Sequence, residues 1–281
     1  MRHRANADAV VVAGFGDEWS RFDQTPLSTA ERETLARGYF AIFPWERLPP
    51  NPVGLDLGCG SGRWAGYVAP RVGQLHCIDA SPGALAVARR NLKDAANVVF
   101  HLASVDAIPL PDTCLDFAYS LGVLHHVPHP AEGISSIAAK LKPGAPLLLY
   151  LYYAFDNRPA WFRWMWRATE PLRHGISRTP YPIRSAAGEI IATVVYWPLA
   201  RLARFGEWLG LRVENMPLAV YRHRSFYVMR TDAFDRFGTR LEQRFTRGQI
   251  VAMMESAGLV DVRFSPAPPY WCVVGIKAAP R

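Results

Sequence analysis

The stretch Val53-Gly-Leu-Asp-Leu-Gly-Cys-Gly-Ser-Gly62 joins a short apolar run to three glycines at alternate positions, and a helix is expected from Arg63 to Ala69. Glycines between a strand and a helix let the backbone turn sharply and approach a ligand without Cβ clashes. Such a turn by itself selects no particular ligand, and two details narrow the choice. A dinucleotide-binding turn would want glycine at position 63, where this chain has Arg63. Asp56, two residues before the first glycine, is awkward beside a pyrophosphate and suits a ligand that carries positive charge.

Outward from this turn the chain alternates strands and helices. Leu75-His-Cys-Ile-Asp79 is the next strand, and Ser81-Pro82 supplies an N-cap and a first-turn proline for a helix reaching about Lys93. Val98 to Phe100 and Leu115 to Ser120 are expected as the third and fourth strands. His129-Pro130 opens another helix that stops before Pro143-Gly144, and Pro146 to Tyr152 is a fully apolar fifth strand. Strands separated by helices of this length predict a parallel sheet with helices on both faces. The pattern resumes near residue 245, where Thr246-x-x-Gln249 is a capping box and Gly258 a stop. Leu259 to Phe264 and Tyr270 to Ile276 then follow with no room for a helix between them, so the last pair must be antiparallel.

Ligands in open α/β sheets bind outside the carboxyl ends of the strands. Asp79 closes the second strand there, 17 residues after Gly62, where a carboxylate can accept both hydroxyls of a ribose. Ser104-Val105-Asp106 follows the third strand at the same edge, in reach of an adenine. His125 and His126 follow the fourth strand and are candidate bases, with Tyr152, Tyr153 and Asp156 in second rank.

The glycine turn, Asp79, Ile108-Pro-Leu-Pro-Asp112 and Leu121-Gly-Val-Leu-His-His-Val127, in that order, resemble class I S-adenosylmethionine-dependent methyltransferases, nearest the type 11 subgroup with its small-molecule and quinone methylating enzymes. The resemblance covers residues 53–150 and, more loosely, 245–281. It implies an α/β fold, a Rossmann-like doubly wound seven-stranded sheet with an antiparallel last strand, plus a mainly helical insertion. It also implies S-adenosyl-L-methionine as cofactor. Asp56 and the backbone of Gly58 and Gly60 would surround its methionine end, Asp79 its ribose, and Ser104 and Val105 its adenine. Many relatives have an acid where this chain has Ser104, so the side-chain contact moves to Asp106. Ser120 and Leu121 would line the methyl-donor pocket.

The domain organisation expected from these signals is an N-terminal lid or cap over 1–52, a first core part over 53–152, an insertion over 153–245 and a C-terminal core part over 246–281. The lid expectation rests on the aromatic stretch Phe15-Gly-Asp-Glu-Trp19-Ser-Arg-Phe22, for which a core-packing helix is equally compatible.

Composition separates the insertion from the rest. The 281 residues are 50% apolar and carry a net charge of +8, which excludes a disordered chain. Residues 151–250 hold 16 Arg, no Lys and eight carboxylates, so this third carries the whole net charge, together with 18 of the 34 aromatics. An anionic small-molecule or lipid-linked acceptor would suit these arginines, because Arg binds phosphate and carboxylate bidentately. Peripheral contact with an anionic membrane is a second use and can coexist with the first. Nucleic acid ranks third, since no RNA-binding module is recognisable. An acceptor oxygen with a histidine base is the first expectation for the chemistry. Nitrogen or carbon acceptors, or a cofactor-binding protein without turnover, are the alternatives. Four scattered cysteines without a C-x-x-C pair argue against a disulfide framework or zinc site. With apolar runs too short for a membrane span, or for a signal peptide over Met1 to Ala13, they point to the cytoplasm. Nothing in the sequence sets the oligomeric state.

Overall fold

The computed structural model describes residues 6–156 and 158–279. They divide into two compact units. One comprises the chain up to residue 24 with 32–154 and 241–281, and the other comprises 25–31 with 155–240.

The first unit is built on seven strands in the order β3-β2-β1-β4-β5-β7-β6. These are β1 (Val53–Leu57), β2 (Gln74–Asp79), β3 (Val98–Leu102), β4 (Phe117–Leu121), β5 (Pro146–Tyr150), β6 (Leu259–Phe264) and β7 (Cys272–Lys277). The first five are parallel, and β7 runs antiparallel to both β5 and β6. The doubly wound sheet and its reversed last strand are therefore present as the motif order implied. The chain proceeds one way from β1 to β3 and the other way from β4, so the order reverses between β1 and β4. A crevice opens outside the carboxyl ends at such a point. Strand β4 starts two residues later than expected. Leu115 instead makes an isolated parallel bridge to Leu141.

Local signals explain the helices that place the site. Ser81 caps α4 (Pro82–Asn91) by accepting the Ala84 N–H at 3.3 Å, with Pro82 in the first turn. Thr246 and Gln249 close the capping box of α11 (Arg247–Ser256). Helix α5 (Pro130–Lys140) buries Ile134 and Ile137 in the sheet core with Leu147, Leu149 and Val273.

The stretch over 1–52 divides in its packing. Helix α1 (Ala9–Arg21) packs on α4, whereas Phe40 and Phe43 are buried aromatics facing the sheet. Phe40 meets Tyr119 with ring centroids 5.2 Å apart, and Phe43 meets Phe117 at 5.8 Å. Burial of these rings is hydrophobic core formation, which composition alone does not distinguish from cover over a ligand. Residues 1–5 of that stretch lie outside the described residues.

Under the same face, a Cβ on Gly54 would lie 2.0 Å from a ring carbon of Phe117, whose side chain is fully buried. The ring has nowhere to move. Gly54→Ala is expected to destabilise the protein by about 1–3 kcal/mol through overpacking, read as a lower urea midpoint at unchanged slope.

The second unit is helical in all its regular described elements: α6 (Ala160–Ala168), α7 (Glu170–Ser177), α8 (Tyr181–Ile191), a π-helical turn (Ala192–Tyr196), α9 (Trp197–Trp208) and α10 (Phe226–Gly238), with a short 3₁₀ turn at Ala219–Tyr221. Ala192, Tyr196 and Ala200 pack against Met229, Ala233 and Phe237. Glu170 is clamped by Arg173 at 2.9 Å and Arg236 at 2.6 Å, and the Arg236 guanidinium lies 3.7 Å from the Trp166 ring centre. The unit ends at residue 240, not 245. Residues 241–245 return to the sheet unit: Gln243 N–H donates to the His125 carbonyl, and Phe245 N–H to the Tyr152 carbonyl, both at 2.9 Å.

Candidate active site

The glycine turn needs glycine for its conformation and for its neighbours. Gly58, Gly60 and Gly62 have φ of +74°, +54° and +76°. A Cβ at Gly58 would lie 2.4 Å from Val123, and one at Gly60 2.9 Å from the Trp19 indole. Val123 belongs to the Leu121–Val127 motif and Trp19 to the aromatic N-terminal stretch, but neither signal paired its residue with a particular glycine of the turn.

Asp56 lies at the floor of this turn, 1% exposed. Its Oδ2 accepts from the Tyr119 hydroxyl at 3.0 Å, while Oδ1 is buried with no hydrogen-bond partner among the described residues. Burial pushes its pKa up to about 8, against the lowering effect of the Tyr119 bond, and Asp79 nearby raises it further. A buried carboxylate with an orphaned oxygen is costly unless a cation or donor completes it.

Asp79 ties the ends of β1 and β2 together. Its Oδ2 accepts the Gly60 N–H at 2.9 Å and its Oδ1 the Ser81 N–H at 2.8 Å. Burial also raises its pKa, opposed by these backbone donors. Each oxygen retains a second lone pair for a hydroxyl. Beside it, a cavity of about 570 Å³ is lined by Val12, Gly16 and Asp17 of α1 and by Ala80, Ser81 and Pro82.

The residues after β3 divide by role. Ser104 donates its hydroxyl to Asp106 Oδ1, and Asp106 Oδ2 accepts the Asn6 N–H at 3.1 Å. Val105 has its side chain in the sheet core, which leaves only its backbone for a ligand. Ser120 is fully buried and donates to the Leu57 carbonyl at 2.9 Å, joining the carboxyl ends of β1 and β4. Leu121 is buried next to it.

Both histidines lie in a buried 3₁₀ turn, Leu124–His126. His125 is stacked on Tyr152 with centroids 3.7 Å apart, and neither ring nitrogen has a partner among the described residues. Burial, then His126 and Arg244, hold its pKa well below the usual value. His126 places Nδ1 2.7 Å from the Leu241 carbonyl, so Nδ1 carries the proton and the lone pair falls on Nε2. Phe15 of α1 meets the His126 ring at 5.0 Å. Helix α1 therefore touches the glycine turn through Trp19, the cap of α4 through Gly16 and the histidine turn through Phe15.

Residues 55–149 match the family model described as a methyltransferase domain. The chain carries a class I methyltransferase domain. The cofactor of this domain is S-adenosylmethionine, and the chain's own residues fit it: an orphaned buried carboxylate for a cationic ligand, a turn that a Cβ would fill, and a second carboxylate with spare lone pairs. The domain is similar to phosphoethanolamine N-methyltransferase 2 of Caenorhabditis elegans, 31% identical over 37% of this chain and 24% of that protein. It is also similar to the ubiquinone biosynthesis O-methyltransferase of Xanthomonas oryzae pv. oryzae, 34% identical over 34% of this chain and 41% of that protein. The chain thus spans less than half the length of either relative. An O-methyltransferase family protein from Burkholderia thailandensis shares the fold at a TM-score of 0.54 and 15% identity, over 96% of this chain and 60% of that one. Among the described residues no cluster of three or more metal-binding side chains occurs.

Proposed function

We propose that the protein transfers a methyl group from S-adenosylmethionine to an oxygen of a small or amphiphilic, anionic acceptor. The buried Asp56 with its orphaned oxygen carries this reading, because it asks for the positive charge that this cofactor brings. When bound, the cofactor supplies an electrophilic methyl group on a sulfonium. Asp56 and the Gly58 and Gly60 backbone would hold its methionine end, Asp79 its ribose, and Asp106 with the Ser104–Val105 backbone its adenine.

The protein's part in the chemistry is positioning, exclusion of water and removal of one proton. His125 is the favoured base. Its low pKa keeps it neutral near pH 7, and an acceptor hydroxyl would complete one of its partnerless nitrogens. His126, with its tautomer set by Leu241, is the second candidate. Oxygen is preferred over nitrogen because a hydroxyl needs such a base. Relatives of both acceptor types keep the other choice in the test. The arginine-rich second unit supports an anionic acceptor. A cytoplasmic location belongs to the same reading, in keeping with four free cysteines.

The test is formation of S-adenosylhomocysteine with phenolic, carboxylate and phosphate-bearing acceptors, alongside amines. Turnover confined to amines would overturn oxygen transfer, and cofactor binding without turnover on any of them would leave a binding protein. The proposal gives α1 the part of a lid. Deleting residues 1–22 is expected to weaken cofactor affinity about tenfold or more by calorimetry, since it removes Trp19 from Gly60. Unaltered affinity would sink the lid.

A further inference from the structure

The second unit concentrates exposed apolar surface. Of 17 large apolar side chains exposed among the described residues, 14 belong to it. Many lie on one continuous helical stretch, α8, the π turn and α9, which runs from Tyr181 to Trp208 and measures about 40 Å at 1.5 Å per residue.

The two faces of this stretch are chemically opposite. Inward it presents small residues, Ser185, Gly188, Ala192, Ala200, Ala203 and Gly206, all buried. A Cβ on Gly188 would lie 3.3 Å from the backbone of Phe234 in α10, so the helices pack closely there. Outward it presents Ile183, Ile190, Val194, Trp197, Phe205 and Trp208, at spacings of three, four, seven and eight residues that keep them on one side. Their exposure runs from 47% at Trp197 to 77% at Trp208. The two carboxylates of the stretch are both engaged by cations: Glu189 by Arg230 at 2.9 Å, and Glu207 by Arg222 at 2.8 Å and His223 at 2.6 Å. Arg204 is exposed among the outward apolar residues.

We propose that this outward face docks on an anionic lipid surface. Charge selects the occupant. The unit carries 14 arginines and no lysine against eight carboxylates, a net +6. A second copy seated on the same face would set +6 against +6, whereas anionic headgroups are complementary to it. Tryptophan and arginine on an apolar helix face match the boundary between acyl chains and headgroups. The face lies on the bilayer without entering it, since no described helix is long and apolar enough to cross a membrane. The inference rests on the surface of this unit and stands independently of the methyl-transfer reading.

The experiment is co-sedimentation of the full chain with phosphatidylcholine vesicles, with and without about 30 mol % phosphatidylglycerol. Partitioning is expected to be at least about tenfold stronger onto the anionic vesicles and to fall in about 0.5 M salt. The double substitution Val194→Glu and Phe205→Glu should lower it about tenfold or more while circular dichroism and melting temperature hold. Retention of binding by that variant, or equal partitioning onto neutral and anionic vesicles, would overturn the proposal. So would a wild-type dimer that the variant converts to monomer without any lipid binding, which would assign the face to a second copy. Should the double variant unfold, Val194→Ser alone is read in the same way.

Discussion

The affinity for S-adenosylmethionine is expected to rise about tenfold per pH unit from about pH 6 to pH 8, and then to level off. The cause is Asp56, whose burial raises its pKa to about 8. Below that value the carboxyl is protonated, and a cationic ligand must displace the proton to gain the charge interaction. Above it the carboxylate is already formed and nothing is displaced. The same group has the opposite effect on stability without ligand. A folded-state pKa raised above the ordinary carboxylate value stabilises the protein at low pH, and this contribution is lost as pH climbs towards about 8.

Asp56→Asn separates the two effects. It should weaken cofactor affinity by about a hundredfold or more and flatten most of the pH slope, because the titrating charge is gone. It should also hold or raise the melting temperature at about pH 8, because an uncompensated buried charge is removed while Tyr119 keeps an acceptor. Isothermal titration at several pH values with parallel thermal melts measures both. A flat wild-type profile would exclude Asp56 as the cation-binding group.

His125→Gln is expected to lower turnover by about 10² to 10⁴ with cofactor affinity unchanged, the range for loss of a positioned base. Burial holds the His125 pKa well below 6.5, so the basic form persists through neutral pH. The wild-type rate should therefore show no fall between about pH 7.5 and 6.5 from this group, in contrast to an ordinary exposed histidine. In stability the sign is the reverse of Asp56. A lowered folded-state pKa leaves the unfolded chain binding the proton more tightly, so stability is lost as pH falls through about 6.5. Retention of full turnover in His125→Gln would move the base to His126. An equal loss in a His125→Asn variant with intact melting temperature would separate chemistry from packing.

Much of the core was legible because its signals are local. Strand and helix periods, Ser81-Pro82, the Thr246–Gln249 capping box and the glycine turn each act within a few residues, so they are read without knowing which distant segments pack together. The short link between β6 and β7 likewise demanded the antiparallel pair. Net charge is additive along the chain, so the cationic third was also visible without coordinates.

Long-range pairings were not legible. Tyr119 reaches Asp56, and Ser120 the Leu57 carbonyl, because β4 lies beside β1 in one register out of several, 63 residues away in sequence. The same holds for Trp19 over Gly60 and for residues 241–245 returning to Tyr152. No periodic pattern encodes such neighbours. They follow from how the assembled sheet orders its strands and from which surfaces remain to be buried. The sequence alone thus determined the sheet, its turn and the charge of the insertion. Tertiary structure decided which carboxylate is buried without a second partner, which histidine is neutral and enclosed, and that the charged insertion turns an apolar helix face outward. Burial and orientation are properties of the packed chain, and they set the pKa values and exposures on which the chemistry depends.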